Sequence, residues 1–341
     1  MERPKLSIIM SVYNEEKYLR EAMDSILNQT FRDFEFLIIN DCSTDSSREI
    51  ILSYPDPRIR LIDNTVNIGL TCSLIKGLQL AAGEYIARQD ADDISLPRRL
   101  EKQINFLHQN ATVGLVGTSP IVINEEGKCL FVIPVLTGIK ELKKELENGN
   151  QFTHGSVVFR KKCIEQVGSY RKEFKVAQDY DLWLRLSKFF NLANISEPLY
   201  KWRLDINSIS GKQRISQDQY AAIAIKLHKE RQLSGVDALQ RNDIHKIKQF
   251  FKPLTDRVNK DDKSQLIKSY NYWGKYLLVN DQPKEAMRFF CRSFQYGRFS
   301  LQIWFFLLLT KISLISSRLG QSVSFILILL VNIRKKFRNH R

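Results

Sequence analysis

The sequence predicts an α/β fold, a mixed central sheet flanked by helices, followed by an α-helical C-terminal region. Two strand-length apolar runs, Leu6–Val12 and Phe34–Asn40, bracket a stretch with helical spacing. The same strand and helix alternation continues to residue 89, and from about Ser216 to Phe299 the pattern is helical throughout.

Leu6-Ser-Ile-Ile-Met-Ser-Val12 is almost continuously apolar, which suits a parallel strand covered on both faces. Tyr18, Ala22 and Ile26 then recur at helical spacing before the second strand reaches Asp41. Strand, helix, strand implies a right-handed crossover. A polar loop at 43–47 leads into a helix ending near Ser53, a strand over 58–64, a helix over 69–82 and a strand over 84–89. Pro97 suits the first position of a helix running to His108. Strands over 113–123 and 128–135 flank an Asn124-Glu-Glu-Gly127 turn. The C-terminal helices are expected to break at Pro253 and to include a pair at 265–279 and 283–296 that resembles a single tetratricopeptide-type hairpin.

The 341 residues, 43% of them hydrophobic and 26% charged, describe an ordinary folded protein with enough apolar material for a catalytic domain and an appendage. Cys42, Cys72, Cys129, Cys163 and Cys291 lie far apart without metal or disulfide spacing, which points to a reducing compartment. The apolar run at the N-terminus is shorter than a signal peptide requires, so secretion is not expected. Net charge is +15, and residues 301–341 hold seven Lys/Arg with no Asp or Glu. In that tail the apolar runs 303–315 and 322–333 each fall short of the roughly 20 residues of a spanning helix. Basic residues beside such runs favour an anionic membrane surface, reached by interfacial or re-entrant helices at the cytoplasmic face. No recognition motif for nucleic acid is present, and none is expected as a partner. The domain plan is therefore a catalytic domain over 1–210, a helical appendage over 211–300 and a membrane-associated tail over 301–341.

In open α/β sheets ligands bind beyond the carboxyl ends of the strands, so the loops at 12–15, 41–45 and 90–93 should share a crevice. Gly83-Glu-Tyr-Ile-Ala-Arg-Gln-Asp90-Ala-Asp92-Asp93 delivers three carboxylates in four residues at one strand end. Such hard oxygen ligands suit Mg²⁺ or Mn²⁺ bridging a diphosphate and neutralising the leaving group. A solvated acidic turn in which Asp93 caps the next helix is the simpler alternative. A dinucleotide-binding dehydrogenase is disfavoured because Tyr13-Asn14-Glu15-Glu16 replaces a G-x-G-x-x-G turn. A haloacid-dehalogenase-like phosphatase would carry its acidic motif after the first strand.

Four segments together resemble glycosyltransferase family 2, whose members have the Rossmann-like GT-A fold. They are Ser7-Ile-Ile-Met-Ser-Val-Tyr-Asn-Glu-Glu16, Ile39-Asn-Asp-Cys-Ser-Thr-Asp45, Asn67-Ile-Gly-Leu70 with Ala81-Ala-Gly-Glu-Tyr-Ile86, and Asp90-Ala-Asp-Asp93 running into Pro97-Arg-Arg-Leu100. The resemblance covers roughly residues 5–210. It implies an inverting transferase that moves a sugar from a nucleotide diphosphate donor, UDP-linked by preference, to a glycan or lipid-linked acceptor in surface polysaccharide synthesis.

By that resemblance Val12, Tyr13, Asn14 and Glu15 line the base and ribose, Asp41 hydrogen-bonds the base, and Asn67, Gly69 and Asp90 belong to the donor site. Asp90 and Asp92 match the metal-binding D-x-D element, with Asp92 the direct ligand and Asp93 extending the cluster. Phe152-Thr-His154-Gly-Ser-Val-Val-Phe-Arg160 resembles the acceptor-side strand, which places His154 toward the acceptor or, equally, in the core. Val176-Ala-Gln178-Asp179-Tyr-Asp-Leu-Trp183 resembles the catalytic turn, which makes Asp179 the general base, although Asp179 and Asp181 both also suit a helix N-terminus. Gln178 stands where the family usually has Glu, and Asp205 where an Arg-x-His element usually has His. Asp205 is thus either a further metal ligand or part of a surface loop. The two departures also admit a degenerate transferase serving as a membrane-bound scaffold.

Overall fold

The computed structural model describes residues 3–258 and 263–296, together with Phe306, Leu308 and Thr310. The expected tail over 301–341 therefore lies, apart from those three residues, outside the described part. Among the described residues no helix is long and apolar enough to cross a membrane.

In chain order the first elements are β1 (Leu6–Val12), α1 (Leu19–Leu27), β2 (Phe34–Asn40), α2 (Ser47–Leu52), β3 (Ile59–Asp63), α3 (Leu70–Leu80), β4 (Tyr85–Arg88), β5 (Ile94–Ser95) and α4 (Arg99–Gln109). There follow β6 (Val113–Ile123), β7 (Cys129–Val132), α5 (Ile139–Leu146), a 3-10 turn (His154–Ser156), β8 (Val158–Arg160), α6 (Lys161–Val167), α7 (Gln178–Leu186) and β9 (Asn191–Arg203). The remainder is helical: α8 (Ile209–Lys212), α9 (Arg214–Ser234), α10 (Ile244–Val258), α11 (Lys263–Val279) and α12 (Pro283–Tyr296).

The strands form one mixed sheet in the order β3-β2-β1-β4-β8-β6-β9-β5, with β7 pairing β6 off this path. The first four run parallel and β8 is antiparallel to both neighbours. Because the chain winds outward from β1 in one direction and returns to β4 on the other, the topological switch lies between these two strands. Their carboxyl ends are where such folds hold ligands. The sheet is hydrophobic on both faces: Leu6, Ile8, Ile9 and Met10 of β1 and Phe36, Leu37, Ile38 and Ile39 of β2 are fully buried, as the unbroken apolar runs require.

Gly83 shows why one recognisable motif is structural. A Cβ there would stand 2.5 Å from the Ser7 backbone nitrogen. The Gly83 N–H instead donates to Ser7 Oγ at 2.8 Å, and Ser7 Oγ and the Ala82 N–H both donate to Glu35 Oε1 at 2.6 Å. The Ala-Ala-Gly-Glu segment thus seats β4 against β1.

The chain divides into two compact units. The first comprises residues through Ile123, Val132–Arg203 and Gln219–Phe251, so much of α9 and the start of α10 group with the sheet rather than with an appendage beginning at 211. The grouping has physical causes. Arg171 Nη1 reaches Asp237 Oδ2 at 2.9 Å, Arg231 pairs with the same carboxylate, and Phe174, Tyr220 and Phe251 form an aromatic trio with centroids 5.2–6.1 Å apart.

The second unit comprises Asn124–Phe131, Leu204–Asp218 and the chain from Lys252 onward. In it α11 and α12 pair as expected, with Gly274 so close to Phe290 that a Cβ would meet the ring at 2.6 Å. The Asn124–Glu126 turn binds this pair: Arg288 reaches Glu125 at 3.0 Å, and Asn124 Nδ2 donates to Glu285 Oε1 at 3.1 Å. Pro253 does not break the helix, for α10 runs through it to Val258. An interior proline forfeits a backbone hydrogen bond and costs about 3 kcal/mol, and burial of Phe251 and Leu254 on either side of it offsets that loss. Pro97 lies two residues before α4 rather than at its first position, because its carbonyl accepts the Thr30 N–H at 2.9 Å. All five cysteines are free thiols.

Candidate active site

The loops after β1 and β2 hold each other. The Asn14 N–H donates to Ser43 Oγ at 3.1 Å and the Thr44 N–H to Asn14 Oδ1 at 2.8 Å. The Glu15 N–H donates to Ser47 Oγ at 2.9 Å, the Glu16 N–H to Asp45 Oδ2 at 3.0 Å, and the Ser46 N–H returns to Glu16 Oε2 at 3.0 Å. Asn14 (φ 55°) and Cys42 (φ 63°) adopt the left-handed backbone these tight turns need, a conformation Asn accepts more readily than most residues. Val12 is buried at the strand end, and Tyr13, the next residue, stands 46% exposed.

Asp41 is buried, and its carboxylate organises the third loop. Asn64 Nδ2 and the Ile68 N–H donate to Oδ1 at 2.8 and 2.9 Å, and the Gly69 N–H donates to Oδ2 at 2.8 Å. Gly69, at φ 84°, takes a left-handed backbone that turns the chain into α3 directly after these two amides. Asp41 therefore fixes the 67–69 segment beside the β2 loop.

The acidic turn after β4 is wrapped by arginines that lie far apart in the sequence. Arg88 is buried and donates from Nη2 to Asp90 Oδ1 at 2.6 Å and from Nη1 to the Ile9 carbonyl at 2.5 Å. Arg99 donates to the Arg88 and Gly155 carbonyls at 3.1 and 3.3 Å and lies over the Tyr200 ring. Burial pushes its guanidinium down to about 10. Arg203 donates from Nε to the Asp92 carbonyl at 2.8 Å, and its backbone N–H binds Asp93 Oδ1 at 2.7 Å. Gln89 Nε2 ties the Asp90 and Asp93 carbonyls together at 3.0 and 2.9 Å.

The three carboxylates consequently differ. Asp93 is turned into the fold, where burial first, then Asp92 and Asp90, raise its pKa well above the ordinary range. Asp90 and Asp92 remain partly exposed. Among the described residues no three His, Cys, Asp or Glu side chains converge as a closed metal cage. Two partly exposed carboxylates nevertheless fit a hard divalent ion that takes its other ligands from phosphate and water.

His154 reaches this turn from the 3-10 turn that precedes β8. Arg88 Nε points at His154 Nε2 from 3.4 Å, and His154 Nε2 shares a 2.8 Å hydrogen bond with the Tyr170 hydroxyl. Burial, then the Arg88 charge, holds the imidazole well below its usual pKa, so it is neutral. Gly155 is obligatory here, since a Cβ would stand 2.6 Å from Asp90 Oδ2 and closer still to the Tyr200 hydroxyl.

Asp179 is the second residue of α7, which Gln178 begins behind Ala177, a left-handed residue at φ 55° and ψ 23°. Its Oδ2 accepts from Asn150 Nδ2 at 2.7 Å. Burial pushes the carboxyl up to about 6, with Asp90 adding to the rise and the Asn150 hydrogen bond opposing it. Asp181 is instead fully buried and paired with Arg185 Nε at 3.0 Å and Arg171 Nη1 at 3.3 Å. Of the two carboxylates at this helix start, Asp181 is the structural one. In the second unit Asp205 Oδ1 accepts the Asn207 N–H at 2.6 Å, a local turn leading into α8. Arg88, Asn150, Tyr170 and Tyr200 had no motif to mark them; only an arginine two positions before the acidic turn was a signal, as the counter-charge such a turn requires.

The sequence profile described as glycosyl transferase family 2 matches residues 7–168. The Bacillus subtilis (strain 168) protein EpsE, named as a glycosyltransferase, is 38% identical over 208 residues, 59% of this chain and 74% of its own length. This chain belongs to glycosyl transferase family 2. The Escherichia coli O-antigen biosynthesis glycosyltransferase WbnJ is 35% identical over 228 residues, 65% of this chain and 87% of its own. Relatives of this glycosyltransferase thus work in polysaccharide biosynthesis. Staphylococcus aureus TarS in complex with UDP-GlcNAc shares the fold at TM-score 0.53 and 17% identity, covering 91% of each chain. The Pyrobaculum calidifontis mannosyltransferase PcManGT, in complex with GDP-Man and Mn²⁺, does so at TM-score 0.50 and 16% identity, covering 96% of this chain and 86% of its own. The mixed sheet flanked by helices, with helices following, is the GT-A arrangement.

Proposed function

We propose that this glycosyltransferase moves a sugar, with inversion, from a nucleotide diphosphate sugar to a hydroxyl of a glycan or lipid-linked acceptor in surface polysaccharide synthesis, with a UDP-sugar as the favoured donor. The observation that carries the reading is Asp179, a buried carboxylate at the start of α7 that accepts from Asn150 Nδ2 at 2.7 Å and that burial pushes up to about 6. A base poised there takes a proton from a hydroxyl far better than an ordinary exposed carboxylate.

In the proposed step the acceptor oxygen forms a bond to the anomeric carbon while the bond from that carbon to the diphosphate oxygen breaks. The electron pair leaves with the diphosphate, and the hydroxyl proton passes to Asp179. Asp92 and Asp90 would hold Mg²⁺ or Mn²⁺, which when bound offsets charge on the diphosphate. Tyr13 would stack on the base, the interlocked 14–16 and 43–47 loops would bound the ribose, and Asp41 would support the base through the 67–69 segment. His154, neutral and tied to Arg88 and Tyr170, would border the acceptor.

The basic tail over 301–341 would hold the enzyme at an anionic cytoplasmic membrane face. Chain lacking this tail should lose sedimentation with anionic vesicles; unchanged sedimentation would remove the tail from that role. The catalytic reading is tested by turnover of a nucleotide-sugar panel with lipid-linked acceptors. Wild type should release nucleotide diphosphate and Asp179→Asn should not, while still binding donor. Equal turnover by both would eliminate Asp179 as the base.

A further inference from the structure

Asn150 lies in the segment between α5 and the 3-10 turn, 29 positions before Asp179 in sequence. Its Nδ2 donates to Asp179 Oδ2 at 2.7 Å, and its Oδ1 accepts the Phe152 backbone N–H at 3.1 Å. The second bond settles the orientation of the amide. A backbone N–H can only donate, so the carbonyl end of Asn150 must face Phe152 and the amino end must face the carboxylate.

We infer that Asn150 is a positioning residue for the general base: its amide fixes one oxygen of the Asp179 carboxylate and stabilises the anion that receives the acceptor proton. The inference rests on Asp179 being that base. Backbone N–H groups of Asp179 and Tyr180 help in the same sense, whereas burial and the Asp90 charge oppose ionisation. Tyr170, whose hydroxyl feels the Asp179 charge, is kept protonated by its own burial. His154, bonded to that tyrosine, is neutral. Asn150 is therefore the one side chain named in this balance that favours the charged base. An N–H donated to a carboxylate favours its ionised form. A charge-assisted hydrogen bond of this kind is worth about one pKa unit.

Asn150 is itself exposed, so its replacement removes little packing. The test uses the full chain with ¹³C-labelled aspartate carboxyls, followed by NMR through a pH titration. The resonance missing from Asp179→Asn identifies the base. Its midpoint should lie near 6 in wild type and about one unit higher in Asn150→Ala. It should lie higher still in Asn150→Asp, which keeps the shape but substitutes a second carboxylate for the donor. At pH 6 the ionised fraction in Asn150→Ala should then be about fivefold lower than wild type and equal to it at pH 9. Midpoints that do not move in either variant overturn the inference. Turnover in Asp179→Asn separates the two claims: if it matches wild type, the base reading falls and the positioning role with it. If it is lost while the Asn150 midpoints stay fixed, only the inference fails.

Discussion

Arg88 Nη2 donates to Asp90 Oδ1 at 2.6 Å from a side chain that is 1% exposed, while the Asp90 side chain remains 31% exposed. One oxygen of the carboxylate is thereby committed to the protein while the group stays partly exposed. The positive charge needed for Asp90, Asp92 and Asp93 to share one turn comes from the strand that delivers them.

Arg88→Met should therefore destabilise the fold, by about 3 kcal/mol, the low end for breaking a buried pair because one partner is partly solvated. The variant should also regain more melting temperature than wild type on addition of Mn²⁺, since the ion would supply the missing charge. Calorimetric melting with and without Mn²⁺ checks both; equal Mn²⁺ effects in the two proteins would argue against Arg88 as the counter-charge.

Asp179 links stability to activity. The unfolded carboxyl loses its proton near the ordinary value of 3.8 and the folded one near 6. Between those pH values the folded state holds more protons, so stability falls as pH rises and levels off above 6. Asp179→Asn should accordingly melt higher than wild type at pH 7.5, by the equivalent of about 3 kcal/mol, while turnover drops roughly 10²- to 10⁴-fold. In wild type kcat/KM should rise with pH to a plateau above about pH 7. A pH-independent rate between 5 and 8 would contradict this.

Gly83→Ala places a Cβ 2.5 Å from the Ser7 nitrogen. Backbone cannot yield as a flexible side chain does, so the substitution should cost about 1–3 kcal/mol. Urea denaturation should show the midpoint falling without a change in slope.

Asp181→Ala leaves Arg185 buried without the carboxylate that Nε reaches at 3.0 Å. A loss of about 3–5 kcal/mol is expected, with expression and melting temperature falling together. Nucleotide binding by the folded fraction should persist, in contrast to a variant that removes a donor ligand.

The parallel half of the fold was legible because a strand buried on both faces writes itself as an apolar run. β1 and β2 match their sequence bounds, and β3 and β4 fall within one residue of theirs at each end. β9, thirteen residues long, was not read as a strand, for Ser196, Glu197 and Pro198 interrupt its hydrophobic pattern where the register shifts against β6. The D-x-D turn was legible as a cluster of charge. Its environment was not, since Arg99 and Arg203 reach it from other elements and Asn150 meets Asp179 only through the tertiary fold. Nor could spacing tell Asp179 from Asp181. Two positions along a helix separate a carboxylate bonded to the Asn150 amide from one sealed between two arginines.

Isothermal titration of the full chain with UDP, with and without Mn²⁺, alongside Asp92→Ala and Asp179→Asn, addresses the donor site most directly. The expected result is binding by wild type and Asp179→Asn only when Mn²⁺ is present, and loss of that binding in Asp92→Ala. Metal-independent binding, or equal binding by Asp92→Ala, would contradict the metal-bridged donor site; failure of UDP and of every other nucleotide diphosphate to bind wild type would contradict the transferase site itself.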